Sequence, residues 1–146
     1  MSNRNLTELY QAILLRHSKS PSSYGKLSVC THYSEGFNPI CGDAVTLYLN
    51  LEGSVIKQSS FESASCAVCK ASASIMLEQI QLKTLSQVYA YQTAFELLLQ
   101  GQGDASQLEA ESILSEDFKA FLGLSQYPSR KNCAKLPWDT LQKALK

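Results

Sequence analysis

The chain has 146 residues, which is long enough to bury a hydrophobic core without disulfides or metals to hold it together. Its 13 Lys and Arg residues are balanced by 13 Asp and Glu residues, and the basic residues are scattered along the sequence. This pattern argues against nucleic acid or an anionic membrane as a partner. We expect a single domain over residues 1–146.

The start of the sequence lacks the continuous apolar core of a signal peptide, and no stretch is long and apolar enough to span a membrane. We therefore expect a cytoplasmic protein. Five cysteines are many for that reducing compartment, and their number is odd. Metal binding or thiol chemistry is a better expectation for them than stable disulfides.

The first predicted element is an amphipathic helix. Apolar residues recur at helical spacing between Leu6 and Leu14, and the pattern ends where Pro21, Gly25 and several serines follow. This helix should therefore end near the stretch "HSKSPSSYGK".

Strands are predicted in the next part of the chain. From Asp43 the hydrophobic period changes to two in "DAVTLYLNL", which is typical of a strand with one buried face. A turn at residues 52–53 leads into a second strand over residues 54–63. The segment 27–33 is a candidate for a third strand.

Helices are predicted after Cys66. The small residues of 71–80 suit a helix packed closely on a sheet, and Thr84 with Gln87 forms a capping box that begins the next helix. Its apolar face is followed by a break at residues 101–104.

A further helix carries apolar residues after that break, among them Leu108 and Phe118. We expect residues 127–132 to form a loop and the last helix to begin at Cys133. Strands first and helices after predict an α+β fold, with a short antiparallel sheet of about three strands covered by helices and a helical C-terminal half.

Four cysteines lie at the edges of these predicted elements. Cys41 precedes a strand, Cys66 opens a helix, Cys69 lies one turn further, and Cys133 opens the last helix. A helix N-terminus favours thiolate over thiol, and Cys66 and Cys133 would gain most from this. In "NPICGD" a tight turn lets Cys41 and Asp43 approach one ion. Three thiolates and a carboxylate can close a tetrahedral shell around zinc or hold iron in a cluster.

The spacing leaves other classes of function open, because a single C-x-x-C is a weak signal. One alternative is a thiol oxidoreductase that uses Cys66 and Cys69, although thioredoxin-like proteins place that motif in a βαβ unit. Another is an adaptor in which zinc only stabilises the fold.

Three separated motifs, "NPICGD", "SCAVCKASASIM" and "FLGLSQYPSRKNCAKLPWDTLQKAL", resemble the NifU-N/IscU family of iron–sulfur cluster assembly proteins. The resemblance runs through nearly the whole chain and is closer to the SufU-like branch. The stretch between Cys66 and Cys133 has room for the extra helical segment of that branch, and Asn132 stands where IscU proteins have a histidine.

The resemblance implies a site, a cofactor and partners. The metal ligands would be Cys41, Asp43, Cys66 and Cys133, which would hold zinc or, alternatively, iron or a nascent [2Fe–2S] cluster. The protein would act as a scaffold or sulfur relay, accepting persulfide sulfur from a SufS-like, pyridoxal-phosphate-dependent cysteine desulfurase. A downstream iron–sulfur carrier or apo-protein would receive the product. We predict Cys133, and after it Cys66, as the sulfur acceptor, with Arg130 near the site.

Two departures from the family pattern concern the second cysteine. Residues 63–65 are Ser-Ala-Ser where the family has glycines, so the loop should be less permissive. Cys69 replaces a serine and is either a buried thiol or an additional ligand or resolving thiol. Cys30 is expected in the core or in a strand. We expect His17 and His32 to cap an element or face solvent.

Overall fold

The computed structural model describes residues 3–101 and 115–146. Its three strands form one antiparallel sheet in chain order, and the helices at Ala67–Ile80 and Pro128–Ala144 pack against it. The strands are β1 (His32–Asn38), β2 (Asp43–Glu52) and β3 (Val55–Ala64). The helices are α1 (Asn3–Lys19), α2 (Ala67–Ile80), α3 (Leu85–Leu99), α4 (Glu116–Lys119), a 3₁₀ helix (Ala120–Leu124) and α5 (Pro128–Ala144).

The predicted α+β fold is confirmed in its main features. The alternation in β2 buries Val45, Leu47 and Leu49 against the helices. The capping box at the start of α3 is present, with Thr84 accepting from the Gln87 N–H and the Gln87 side chain accepting from the Thr84 N–H. Within the described ranges, no helix is both long and apolar enough to cross a membrane.

The register of the sheet determines which loops meet at its end. Asn38 pairs with Asp43 across the β1–β2 turn, and Ala44 pairs with Ala64 at the end of β3. The β1–β2 turn and the β3–α2 junction therefore lie at the same end of the sheet. His32 pairs with Leu49 and so lies at the opposite end of β1.

The third strand was predicted a few residues too early. It was expected at 27–33 and lies at His32–Asn38. The preceding residues are instead held by Asn50, whose side-chain amide donates to the Val29 carbonyl (2.9 Å) and accepts from the Thr31 N–H (3.0 Å). Cys30 lies in this segment, partly exposed, and not in a strand or the core.

Helix α2 confirms the prediction of a small-residue helix in close packing. Residues 71–77 are all buried. The hydroxyl of Ser72 donates to the carbonyl of Ala134 in α5 at 2.7 Å, which a larger side chain at this position would prevent. The small residues thus bring α2 and α5 together beside the end of the sheet.

The loop predicted at 127–132 is wrong, because α5 begins at Pro128. Proline is well suited to the first helical position, where its missing N–H has no helical partner, and here it starts the helix. Cys133 therefore lies in the second turn of α5, not at its N-terminus. The helix predicted after residues 101–104 falls largely in 102–114, outside the described residues; of its predicted apolar residues, Phe118 lies in α4, which begins after its own N-cap, Ser115.

The expectation that His17 caps a helix or faces solvent is also wrong. Its ring is only 3% exposed, and its two nitrogens lie 2.7 Å from Ser74 Oγ and 2.7 Å from Asp117 Oδ2. Burial raises the pKa of Asp117, but hydrogen bonds from His17 and Arg16 outweigh that effect and hold the pKa below its usual range. The histidine thereby joins α1, α2 and α4.

Candidate metal centre

The β1–β2 turn supplies two of the predicted ligands. Asn38 closes the turn, with its carbonyl accepting from the Gly42 N–H at 2.8 Å and its side chain accepting from the Ile40 N–H at 3.0 Å. Gly42 has φ +77°, a conformation that glycine adopts without a steric penalty. The turn leaves Cys41 exposed and places Asp43, which is 3% exposed, at the start of β2.

The β3–α2 junction supplies the third ligand. Cys66 is the N-cap of α2, as predicted, and its sulfur accepts from the Cys69 N–H at 3.4 Å. The Cys66 N–H donates to Asp43 Oδ1 at 2.8 Å. Asp43 therefore fixes the backbone of Cys66 as well as lying beside its thiol.

Helix α5 supplies the fourth predicted ligand. Cys133 lies on the helix face that meets the end of the sheet, where it packs against Val45, Cys69 and Leu136. Its sulfur is 4.0 Å from the sulfur of Cys41. All four predicted ligands are thus brought together, although their positions in sequence span 92 residues.

Cys41, Asp43 and Cys133 lie at the spacing of ligands around a single tetrahedral ion, and Cys66 is joined to them through its contact with Asp43. Zinc–sulfur bonds near ~2.3 Å imply sulfur–sulfur separations of roughly 3.8 Å in a tetrahedral shell. Besides the 4.0 Å between the sulfurs of Cys41 and Cys133, Asp43 Oδ2 lies 3.1 Å from Cys41 Sγ and 3.4 Å from Cys66 Sγ. Ligand atoms of Cys41, Asp43 and Cys133 all lie within 4.8 Å of one another. A set of three sulfurs and one oxygen suits zinc.

The electrostatics of the site keep one ligand ionised and another protonated. Burial raises the pKa of Asp43, but hydrogen bonds from the Cys41 thiol and the Cys66 N–H outweigh it, so the pKa lies below its usual range. The pKa of Cys133 is raised well above its usual range, first by burial and then by the neighbouring Cys66, Asp43 and Cys41. A cation placed among these groups would lower the pKa of Cys133 and stabilise its thiolate form.

Cys69 is a packed thiol beneath the site. It is completely buried, and burial raises its pKa to about 12. Its neighbours in the small cluster of Val45, Leu136 and Cys133 are largely apolar. These observations favour the buried-thiol interpretation over a resolving thiol. The sheet is also antiparallel throughout its described strands, so Cys66 and Cys69 do not lie in a thioredoxin-like βαβ unit.

Replacing Cys69 with serine tests this assignment. We expect the variant to retain one zinc ion per chain, with an affinity within about threefold of the wild-type value, and to lose about 1 kcal/mol of stability because a hydroxyl is buried in place of a thiol. Metal analysis after dialysis and thermal unfolding are the measurements. Loss of the bound zinc would instead make Cys69 a ligand.

Arg130 lies close to the site but is directed elsewhere. Its guanidinium is 4.7 Å from the centre of the Tyr127 ring, a cation–π contact on the surface. It also lines a groove with Ala67 and Val68, the two residues that follow Cys66.

The fold is α+β, and a candidate metal centre of three cysteines and one aspartate lies at the end of its sheet. The NifU-like N-terminal domain family matches residues 9–134, and the chain belongs to this family.

Individual relatives agree with this assignment. The chain is 34% identical over 139 residues to the iron–sulfur cluster assembly scaffold protein IscU of Thermotoga maritima, covering 94% of this chain and 93% of that protein. It is 32% identical over 143 residues to the zinc-dependent sulfurtransferase SufU of Bacillus subtilis, covering 98% and 93%. A crystal structure of a SUF-system assembly scaffold protein from Fervidobacterium islandicum superposes with a TM-score of 0.82 at 34% identity, covering 95% of this chain and 98% of that one.

Proposed function

We propose that this chain acts in iron–sulfur cluster assembly as a zinc-dependent sulfur acceptor for a SufS-like cysteine desulfurase. The observation that carries the proposal is the convergence of Cys41, Asp43 and Cys133, whose ligand atoms lie within 4.8 Å of one another, with Cys66 Sγ 3.4 Å from Asp43 Oδ2. The relatives support the same conclusion, since their names describe cluster assembly and zinc-dependent sulfur transfer. The sulfur would pass on to an iron–sulfur carrier or an apo-protein.

A second candidate function is that of a scaffold for a nascent [2Fe–2S] cluster. It is supported by the 34% sequence identity to the Thermotoga maritima scaffold protein, which is as high as the sequence identity to the SUF-system structure. In that case the same four residues would hold the cluster as cargo. Asp43 would be the weakest ligand and the point at which the shell opens.

The exposure of the thiols supports a different order of sulfur acceptors. Cys133 is the first acceptor predicted from the sequence, and it lies in the second turn of α5 and not at a helix start. Cys41 and Cys66 are the exposed thiols of the site. Cys66 is tied down by its N-cap role and by the contact of its N–H with Asp43, whereas Cys41 lies on a turn and can leave the shell without disturbing a helix. We therefore propose Cys41 as the acceptor, with Cys66 second.

The transfer step is a thiol–persulfide exchange. The acceptor sulfur, as thiolate, attacks the outer sulfur of the desulfurase persulfide; a new S–S bond forms on this chain, and the donor cysteine leaves as a thiolate. Bound zinc would supply the deprotonated form of the thiols at neutral pH. Asp43 Oδ2 lies 3.1 Å from Cys41 Sγ. It would therefore take part when Cys41 leaves the metal shell and when Cys41 returns to it.

The proposal is tested by adding the zinc-loaded chain to a SufS-like desulfurase and measuring alanine release from cysteine. We expect strong stimulation, its loss after zinc is removed by chelation, and a trapped persulfide on Cys41 or Cys66 by mass spectrometry. Persulfide found only on Cys69 or Cys30 would contradict the proposal. Desulfurase turnover that does not depend on zinc, together with unfolding of this chain on chelation, would favour the alternative of an adaptor in which zinc only stabilises the fold.

A further inference from the structure

The connection between β3 and α2 is unusually short. Strand β3 continues to Ala64, Ser65 is the only residue that follows it, and Cys66 already caps α2. Any movement of the end of β3 therefore moves the backbone of a metal ligand directly. What holds the end of β3 matters for the geometry of the site.

The outer edge of β3 is paired with a short segment that follows α1. The Gly25 N–H donates to the Phe61 carbonyl at 2.8 Å, and the Phe61 N–H donates to the Ser23 carbonyl at 3.0 Å. This is a single parallel bridge, centred on Tyr24 and Phe61. The next backbone position with its N–H and C=O on the same edge is Ser63, because hydrogen-bonding groups alternate along a strand.

The side chain of Tyr24 occupies that next position. Its hydroxyl accepts from the Ser63 N–H at 3.3 Å and donates to the Ser63 carbonyl at 3.2 Å. One phenol thus satisfies both backbone groups that a further strand residue would have paired. The ring is held by an edge-on contact with the fully buried Phe61, with centroids 5.1 Å apart.

Tyr24 also contacts the other side of the junction. The ammonium group of Lys70, in the first turn of α2, lies 5.5 Å from the centre of the tyrosine ring. Tyr24 therefore spans from Ser63 to Lys70, with Cys66 midway between them in sequence.

We propose that Tyr24 is a positioning residue for Cys66: its hydroxyl holds the end of β3, and thereby fixes the place from which Cys66 reaches the metal. The inference rests on the metal centre of the proposed function. With serine and alanine at positions 63 and 64, β3 extends as a strand almost to Cys66. The hydrogen bonds of Tyr24 with Ser63 therefore restrain the backbone close to Cys66. Cys66 would thus be in position before the metal binds. The metal shell would open at the β1–β2 turn, which carries Cys41.

The test is Tyr24→Phe, which removes the hydroxyl and keeps the ring. In the metal-free protein we expect amide hydrogen exchange of residues 62–66 to become about tenfold faster, because Ser63 loses its partners. In the zinc-loaded protein we expect the zinc affinity to fall about tenfold, at the lower end of the loss seen when supporting partners of metal ligands are removed. The cobalt-substituted protein should show altered sulfur-to-metal charge-transfer bands.

Tyr89→Phe is the matched control, because Tyr89 is similarly exposed (50% against 48% for Tyr24) but lies on α3. It should change neither exchange at 62–66 nor zinc affinity. Exchange and affinity in Tyr24→Phe that equal those of the control would overturn the inference, and so would a Tyr24→Phe chain that fails to fold, since the role would then be global. The metal-free exchange measurement separates the two: a wild-type chain that binds no zinc contradicts the proposed function, whereas unchanged exchange at residues 62–66 in Tyr24→Phe contradicts the hold on β3 whether or not zinc binds.

Discussion

Replacing Cys66 with serine is expected to weaken zinc binding about a hundredfold while leaving the fold intact. Serine is a preferred N-cap, so α2 should still begin at this position, and the backbone N–H can still donate to Asp43. A neutral hydroxyl, however, does not replace a thiolate on zinc. If zinc binding is worth about 10–16 kcal/mol over four ligands, one ligand contributes roughly 3 kcal/mol, or about a hundredfold in affinity.

Zinc competition with a chromophoric chelator measures this effect, and circular dichroism reports the fold. Cys30→Ser is the matched control, because Cys30 is also a free thiol but precedes β1 at the opposite end of the sheet from Asp43. The control should bind zinc as the wild type does. Equal zinc affinity in both serine variants would show that Cys66 is not a ligand.

Replacing Gly36 with alanine is expected to destabilise the protein by about 1–3 kcal/mol, the usual cost of overpacking. A Cβ at this position in β1 would overlap the hydroxyl of Thr140 and lie 3.1 Å from Leu136 Cδ1, both on α5. Thr140 cannot simply turn away without giving up its 2.7 Å hydrogen bond to the Leu136 carbonyl. Helix α5 must therefore shift, and because it carries Cys133 we also expect weaker zinc binding.

A double-mutant cycle with Thr140→Ala isolates the cause. If the clash with Thr140 dominates, the combined variant should be more stable than the sum of the two single effects predicts, by about 1 kcal/mol. Chemical unfolding with and without zinc gives all four values. Additive effects would mean that the close contact between position 36 and Thr140 is not what makes the alanine substitution destabilising.

The sequence predicted the architecture well where a local signal existed. The alternation after Asp43 identified β2, and the pair Thr84 and Gln87 identified the start of α3, because each signal is a direct consequence of the geometry of its element. The four ligands were named from three motifs that resemble one family. Nothing in their spacing alone would have brought Cys133 to Cys41.

The errors arose where tertiary contacts decide. The sequence pattern predicts a loop at Pro128, although proline can equally begin a helix. Because the helix begins there, Cys133 lies in its second turn and not at its start. His17 gave no signal of burial, since its partners Ser74 and Asp117 are 57 and 100 residues away. The contact of Tyr24 with Ser63 was missed for the same reason.

X-ray absorption spectroscopy at the zinc edge tests most directly whether distant parts of the chain surround one ion. We predict a four-coordinate shell with three sulfurs near ~2.3 Å and one oxygen near ~2.0–2.2 Å in the wild-type protein. The Cys66→Ser variant should lose one sulfur from whatever metal it retains. A shell of four sulfurs, a shell containing imidazole nitrogen, or the absence of bound zinc at stoichiometric loading would contradict the site of Cys41, Asp43, Cys66 and Cys133.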